Sequence, residues 1–128
     1  GSLRLGRMDK VLLVCVSFSG FVAVALGAFG AHFLKSRLEP DLLNIYNTGV
    51  LYHLFHTLGA LGAVALVPRL GPHANTAAWL FLLGILLFSG SLYALSISGI
   101  RALGSITPLG GVVFLAGWLT LVVSALRA

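Results

Sequence analysis

The chain is short of charge. Charged residues make up 9% of its 128 residues, and only three of them are acidic, whereas a soluble domain averages about 25% charged residues. A chain so poor in charge lacks the polar surface that a domain in water needs. Because hydrophobic residues amount to 59% and the mean hydropathy is +1.05, the composition predicts a protein of the lipid bilayer.

Cysteine and clustered basic residues are also scarce. The single cysteine, Cys15, excludes an intrachain disulfide and a CxxC metal pattern, and we expect it to behave as a small apolar residue. The eight basic residues are scattered at the ends of apolar runs, where their side chains reach the membrane interface. Because no basic stripe with interleaved aromatic residues exists, we expect no nucleic-acid partner.

Four long apolar runs organise the chain. Each has about 20 residues or more, the length that crosses a bilayer about 30 Å thick. The connections between the runs are short, which favours antiparallel neighbours. The sequence therefore predicts an all-α membrane protein, a single domain over residues 8–128 in which four transmembrane helices form an up-down-up-down bundle. The predicted spans are residues 11–34, 44–67, 76–98 and 107–126.

Charge does not fix the orientation of this predicted bundle. Residues 1–7, GSLRLGR, precede Met8 and are expected to be a leader left over from cloning, so their two arginines are set aside. Each side of the membrane then has three basic residues, and the positive-inside rule gives no preference. We expect both termini in the cytoplasm.

Small residues recur within the predicted spans at spacings of three, four or seven. Such stripes allow helices to approach closely in lipid, so they predict packing and not a reaction. Trp118, in the middle of the fourth span, is expected to fill volume against such a groove. The stripes are Gly20, Ala23, Gly27 and Ala31 in the first span, Gly90, Ala94 and Ser98 in the third, and Gly110, Gly117 and Ser124 in the fourth.

The second span begins with an unusually polar stretch. Residues 44–60, NIYNTGVLYHLFHTLGA, contain two each of histidine, tyrosine, asparagine and threonine, which are costly in lipid unless they face protein or a cavity. At about 100° per residue, leucines and a phenylalanine fall on the opposite face, which is expected to contact lipid or a partner subunit. The residues predicted to face inward are Tyr46, Gly49, His53, His56, Thr57 and Ala60.

Polar side chains of other spans are predicted at similar depth. Counting about 1.5 Å per residue brings Ser89 level with His53 and leaves the half of the bundle nearer the termini apolar. The polar half therefore lies under the first and third loops. The candidate ligand or polar-cavity residues are His32, Tyr46, His53, His56, Ser89, Ser91, Tyr93 and Thr107.

Three interpretations of this polar cluster are open. Neutral histidines hydrogen-bonded to hydroxyls and carbonyls would hold helices together, at about 1 kcal/mol per bond or less. A cavity would instead bind a small molecule, a lipid head group or an ion. A metal or haem site is opposed by missing ligands, since no acid or cysteine lies level with His53 and His56 and His32 is about 10 Å too shallow. Hydrolysis lacks a carboxylate near Ser89 and His53, so we expect no catalytic residue, metal or cofactor.

Several segments resemble one known family. They are LGAFGAHFLK at residues 26–35, YHLFH at residues 52–56, LFSGSLYAL at residues 87–95 and GSITPLGG at residues 104–111. In this order they resemble the YgdD/YwdK-like family of small four-helix bacterial membrane proteins of unknown function. The resemblance covers nearly the whole chain from Met8.

The resemblance implies an integral protein of the bacterial cytoplasmic (inner) membrane, with proposed links to membrane integrity and no established reaction. Two positions depart from the family pattern. Phe33 stands where relatives tend to have glycine, and His53 where they tend to have glutamine, whereas His56 matches the family histidine. The departure at position 53 favours a hydrogen-bonding role there.

The sequence thus favours a non-enzymatic, multi-pass inner-membrane protein that supports membrane integrity or binds lipid. Membrane lipids and further copies of the same chain are the expected partners. A small transporter or channel-like subunit, using a polar half-cavity under the first and third loops, is the alternative. The apolar half nearer the termini opposes a continuous polar path through one subunit.

Overall fold

The fold was analysed in a computed structural model that describes residues 5–128. Helices cover almost all of this range, and no strand occurs within it. The first four residues of the expected leader lie outside the described residues. Helix α1 begins at Arg7, one residue before Met8.

Six α-helices follow one another within residues 5–128, and π-helical or 3₁₀ turns extend or join some of them. The α4 and α5 helices and the π-helical turn between them form one continuous segment, His73–Ser98, named the α4–α5 segment below. The elements in order are α1 (Arg7–Phe29), a π-helical turn (Gly30–Leu34), α2 (Pro40–Ala65), α3 (Val67–Leu70), α4 (His73–Gly84), a π-helical turn (Ile85–Ser89), α5 (Gly90–Ser98), a 3₁₀ turn (Arg101–Ser105) and α6 (Thr107–Arg127).

Three helical segments in the described part of the chain are long and apolar enough to cross a bilayer. They are Arg7–Leu34, His73–Ser98 and Arg101–Arg127. Helix α2 has 26 residues but is not among the three, since its histidines, tyrosines and asparagines lower its hydropathy. The prediction of an all-helical fold is confirmed for the described residues, and three of the four expected spans have the length and composition of membrane-crossing helices.

Neighbouring long helices run antiparallel. Gly20 of α1 lies against the Thr57 side chain of α2, and Gly30, directly after α1, lies against the Tyr46 ring. Residue numbers therefore increase along α1 in the direction in which they decrease along α2. The same reversal relates α2 to the α4–α5 segment. Short connections impose this arrangement, because a chain that turns within a few residues returns beside the helix it has left.

Where the α4–α5 segment packs on α6, glycines of one helix lie against phenylalanines of the other. An added Cβ at Gly110 would overlap the backbone nitrogen of Phe88, so no larger residue fits without moving a helix. The two helices therefore interlock by alternating small and large side chains. The pairs are Gly84 with Phe114, Gly110 with Phe88, and Gly117 with Phe81.

The predicted packing stripes are confirmed in α6 and wrong in the third span. Gly110, Gly117 and Ser124 are all buried, whereas Ala94 and Ser98 are exposed. The buried residues of α5 are instead Ser91, Leu95 and Ser96, so the inward face of this helix lies about 100° around it from the predicted stripe.

Neither α2 nor α6 has a side-chain hydrogen bond that caps its first turn. Helix α2 begins at Pro40, which suits the first helical position because it has no N–H to leave unpaired. The Asp41 carboxylate does not cap the helix but accepts a hydrogen bond of 2.6 Å from Arg101, joining the first and third loops. The Arg101 guanidinium holds the pKa of the Asp41 carboxyl below its ordinary value. Thr107 is the first residue of α6 and not its cap.

The apolar core lies in the half of the molecule nearer the termini. It unites α1, α2, the α4–α5 segment and α6, and it leaves the half under the first and third loops to the polar side chains. The core residues are Leu12, Val16, Ala60, Ala63, Ala77, Ala78, Phe81, Ile85 and Phe114.

Candidate functional site

The inward face of α2 is the centre of the polar cluster. The six residues predicted to face inward are all buried, together with Ala63. Leu51, Phe55 and Leu58 on the opposite face are more than half exposed. The helical spacing of the sequence thus predicted correctly which side of α2 faces the protein.

His53 lies in the middle of a chain of four hydrogen-bonded side chains from three helices. Its Nδ1 is 2.9 Å from the Tyr93 hydroxyl, and its Nε2 is 3.0 Å from the Ser19 hydroxyl. Ser19 is in turn 2.8 Å from the Thr57 hydroxyl. Because each hydroxyl can donate or accept, these partners permit either neutral tautomer of His53.

His56 has partners that fix its protonation. The Trp118 indole N–H donates to His56 Nε2 at 3.0 Å, and an indole nitrogen can only donate. His56 Nε2 is therefore the acceptor, so Nδ1 holds the proton and donates to the Tyr52 carbonyl at 2.9 Å. The ring also stacks on Phe114, with centroids 3.6 Å apart. Both nitrogens of this neutral imidazole are occupied, and neither presents a free lone pair to a metal.

Side chains fill the polar half under the first and third loops. The buried Tyr46 hydroxyl donates to a backbone carbonyl of α1 at 2.5 Å, and the buried Ser89 hydroxyl donates to the Gly49 carbonyl at 2.7 Å. Ser91 and Thr107 share a hydrogen bond of 2.6 Å between α5 and α6. These four predicted site residues join helices to one another, in the space where the sequence suggested a half-cavity.

One predicted member of this cluster is wrong, and another has a partner that the sequence did not indicate. His32 is exposed and takes no part in the cluster, because the buried residues of its π-helical turn are Gly30 and Leu34. Ser89 does not meet His53, since its hydroxyl is directed to the α2 backbone. Ser19 takes that place, and the only sequence signal for it was a hydroxyl beside Gly20 in a small-residue stripe.

A groove lies beside the His53 chain, between α1 and the α4–α5 segment, and α2 forms its floor. Its volume is about 600 Å³, within the range of small-ligand sites. The hydroxyls and imidazole of Ser19, His53 and Tyr93 reach it, and no charged side chain among the described residues lines it. The lining residues are Cys15, Phe18, Ser19, Val22, Leu26, His53, Trp79, Leu82, Leu83, Ile85, Leu86, Gly90 and Tyr93.

The groove offers neutral hydrogen bonding and apolar contact. Within residues 5–128 no three His, Cys, Asp or Glu side chains are grouped as a metal site requires. The groove's walls are almost entirely hydrocarbon, and its polar groups are already paired with one another. An apolar molecule with one neutral polar group is therefore the kind of ligand that its surface matches.

These features define a helical membrane protein. Its helices present mainly apolar side chains outward, and the buried polar side chains of α2 are hydrogen-bonded inside the protein, as a bilayer requires. The chain belongs to the family described as "Protein of unknown function (DUF423)", whose model matches residues 26–111.

Proteins of known sequence support this membership. The chain is 44% identical over 120 residues to the UPF0382 membrane protein YwdK of Bacillus subtilis, covering 92% of this chain and 98% of that protein. It is also 44% identical over 120 residues to the UPF0382 inner membrane protein YgdD of Escherichia coli, covering 93% and 92%. A UPF0382 membrane protein of Staphylococcus epidermidis is 40% identical over 118 residues, covering 92% and 97%. No solved structure matches the chain.

Proposed function

We propose that this chain is a non-enzymatic, multi-pass protein of the bacterial inner membrane, with α2 as a fourth membrane-crossing helix, over about residues 44–65. The 26 residues of α2 correspond to about 39 Å, enough to cross a hydrocarbon layer of about 30 Å. Its buried polar side chains, Tyr46, His53, His56 and Thr57, are paired inside the protein. Leu51, Phe55 and Leu58 form the exposed face of its middle, and the exposed Asn44, Asn47 and Thr48 lie in its first turns, toward the membrane edge.

The molecular role we propose is the binding of a neutral lipid in the groove beside His53. One observation carries this proposal: an apolar groove of about 600 Å³ whose lining includes three polar residues, Ser19, His53 and Tyr93. The groove extends along α1 from Cys15 to Leu26, about 16 Å. That length suits an acyl or isoprenoid chain.

The charge of the groove supports a neutral ligand. A phosphate or carboxylate placed there would lose its hydration without gaining a cation, which costs several kcal/mol. A hydroxyl, carbonyl or ester would instead join the hydrogen-bond chain at Tyr93, whose hydroxyl bonds to His53 and has a second bonding direction. Diacylglycerols, fatty alcohols and isoprenoid alcohols or quinones share this chemistry.

The rim of the groove supports access from the bilayer. Phe18 of α1 is 63% exposed and Leu86 of the α4–α5 segment is 71% exposed, so the groove opens between side chains that would face lipid. Membrane lipids are the partners that this role requires, and further copies of the chain are not needed for it. A transporter or channel-like role has less support, because Tyr46, Ser89 and Ser91 are buried and hydrogen-bonded where a polar path would run.

The test is photo-crosslinking of a neutral lipid to matched variants. Purified protein in detergent is incubated with a photoreactive diacylglycerol, and the labelled residues are mapped by mass spectrometry. Val22 lines the groove, whereas its neighbour Phe21 is exposed outside it. We expect Val22→Trp to lower labelling several-fold and Phe21→Trp to leave it unchanged.

Equal labelling of both variants, or labelling spread over the whole apolar surface, would contradict the proposal. Flux of ions or small solutes in liposomes is the companion measurement. We expect no flux above that of empty vesicles, and a reproducible flux would favour the transporter alternative.

A further inference from the structure

A second cavity lies at the end of the molecule that holds both termini. It is formed where the last turns of α6 pass α3 and the start of α4, and its volume is about 410 Å³. It is separate from the groove beside His53, with which it shares no lining residue. Its lining residues are Leu70, His73, Ala116, Leu119, Thr120, Val123, Ser124 and Arg127.

The cavity is polar at one end and apolar along its length. His73 is the first residue of α4 and Arg127 the last of α6, so both stand at the edge of the apolar region. Ala116, Leu119 and Val123 continue the wall inward along α6. Ala116 is eleven residues from Arg127, so the wall is about 16 Å deep.

We infer that this cavity binds the phosphate head group and the upper acyl chain of an anionic phospholipid. The Arg127 guanidinium offers a fork of donors that matches phosphate oxygens, and the His73 ring can add one N–H. No carboxylate lines the cavity among the described residues. Asp9, the acid at this end of the molecule, accepts a hydrogen bond of 3.0 Å from Asn75.

The surroundings favour a lipid over a free anion. A phosphate alone would occupy only the outer end of the cavity and leave its apolar wall uncovered, whereas an acyl chain would cover it. Lys10 and Arg69 are exposed at the same end and would add to the attraction of an anionic membrane surface. This site depends on the chain crossing the membrane and not on a ligand in the groove beside His53.

The experiment compares lipids and matched charge variants by native mass spectrometry of the detergent-purified protein. We expect phosphatidylglycerol to bind in preference to phosphatidylcholine, and Arg127→Gln to weaken the binding of phosphatidylglycerol roughly tenfold, as the loss of one bidentate phosphate contact predicts. Arg69→Gln removes the same charge at the same end but outside the cavity, and it should change binding little. Equal losses in the two variants would mean general attraction to basic residues and would overturn the site.

A second pair of variants tests the apolar wall. Thr120 lines the cavity, whereas Val122 is 52% exposed outside it. Thr120→Trp should fill the cavity and reduce binding of phosphatidylglycerol, while Val122→Trp should not. Inorganic phosphate is the third arm, and we expect millimolar phosphate not to displace the lipid. Displacement by phosphate together with unchanged binding by Thr120→Trp would show an anion site without a lipid.

Discussion

The two histidines of α2 lie three residues apart but have different kinds of partner. His56 is held between an indole that only donates and a carbonyl that only accepts, so its proton has one position. His53 lies between two hydroxyls and can reverse its hydrogen bonds. A glutamine at position 53 would also offer one donor and one acceptor group, so it could serve the same hydroxyls.

The partners of His56 predict a loss of stability in His56→Leu. Leucine leaves the Trp118 N–H and the Tyr52 carbonyl without their partner, and such hydrogen bonds in membrane proteins contribute about 0.6 kcal/mol on average and at most about 1.7 kcal/mol. We expect the unfolding free energy in detergent to fall by about 1 kcal/mol. In a double-mutant cycle with Trp118→Phe, the two losses should not add.

His32→Leu is the control for that cycle, since His32 is exposed and outside the cluster, and its stability should be unchanged. Fully additive losses in His56→Leu and Trp118→Phe would mean that the two rings do not interact as the structure places them.

The α4–α5 segment and α6 pack by exchanging small and large side chains. Each helix provides glycines against the other's phenylalanines, which permits close approach where lipid offers no hydrophobic drive for association. The π-helical turn Ile85–Ser89 shifts the face of the segment midway. It also directs the Ser89 hydroxyl to α2, so one helix contacts two neighbours with different faces.

Gly110→Ala should be strongly destabilising for so small a change. The added methyl group would overlap the Phe88 backbone, which cannot rotate away as a side chain can. Overpacking of this kind costs about 1–3 kcal/mol, measurable as a lower melting temperature in detergent. Gly62 of α2 has no atom within 4 Å of an added Cβ, and Gly62→Ala should be neutral or stabilising because alanine favours helix by up to about 1 kcal/mol. Equal effects of the two substitutions would contradict the close packing of α6 on the segment.

At the scale of the whole molecule, apolar and polar side chains are concentrated in different halves. The half nearer the termini holds the apolar core, and most of the inter-helix hydrogen bonds lie in the middle of the bundle and under the first and third loops. The groove beside His53 lies along α1 and has no charged lining residue, whereas the cavity at the terminal end is lined by Arg127. The proposed binding of two lipids fits this division better than passage of a solute.

Cysteine labelling tests whether α2 crosses the membrane. In a Cys15→Ser background, single cysteines replace Ser36, Ser105 and Arg69, all of which are exposed, and intact cells are treated with an impermeant maleimide. If α2 crosses, positions 36 and 105 react from one side and position 69 only from the other. With both termini in the cytoplasm, position 69 should react only after the inner membrane is opened. Labelling of positions 36 and 69 from the same side would mean that α2 does not cross.

The sequence by itself determined the helical class, the family and the inward face of α2. Helix periodicity and the cost of polar groups in lipid act locally, so a pattern along one helix reveals them. The residues of the YHLFH and LFSGSLYAL segments indicated the family before any contact between helices was known, and matches over more than nine-tenths of the chain establish it.

Only the tertiary structure decided which polar groups meet. Depth counting placed Ser89 level with His53, but the Ser89 hydroxyl bonds to the α2 backbone. The hydroxyl that contacts His53 belongs to Ser19 of α1. Trp118 was expected to fill volume, and it also fixes the tautomer of His56. Both cavities likewise depend on the distance between helices. Side chains from three or more helices together set that distance, so a residue pattern along one helix does not reveal it.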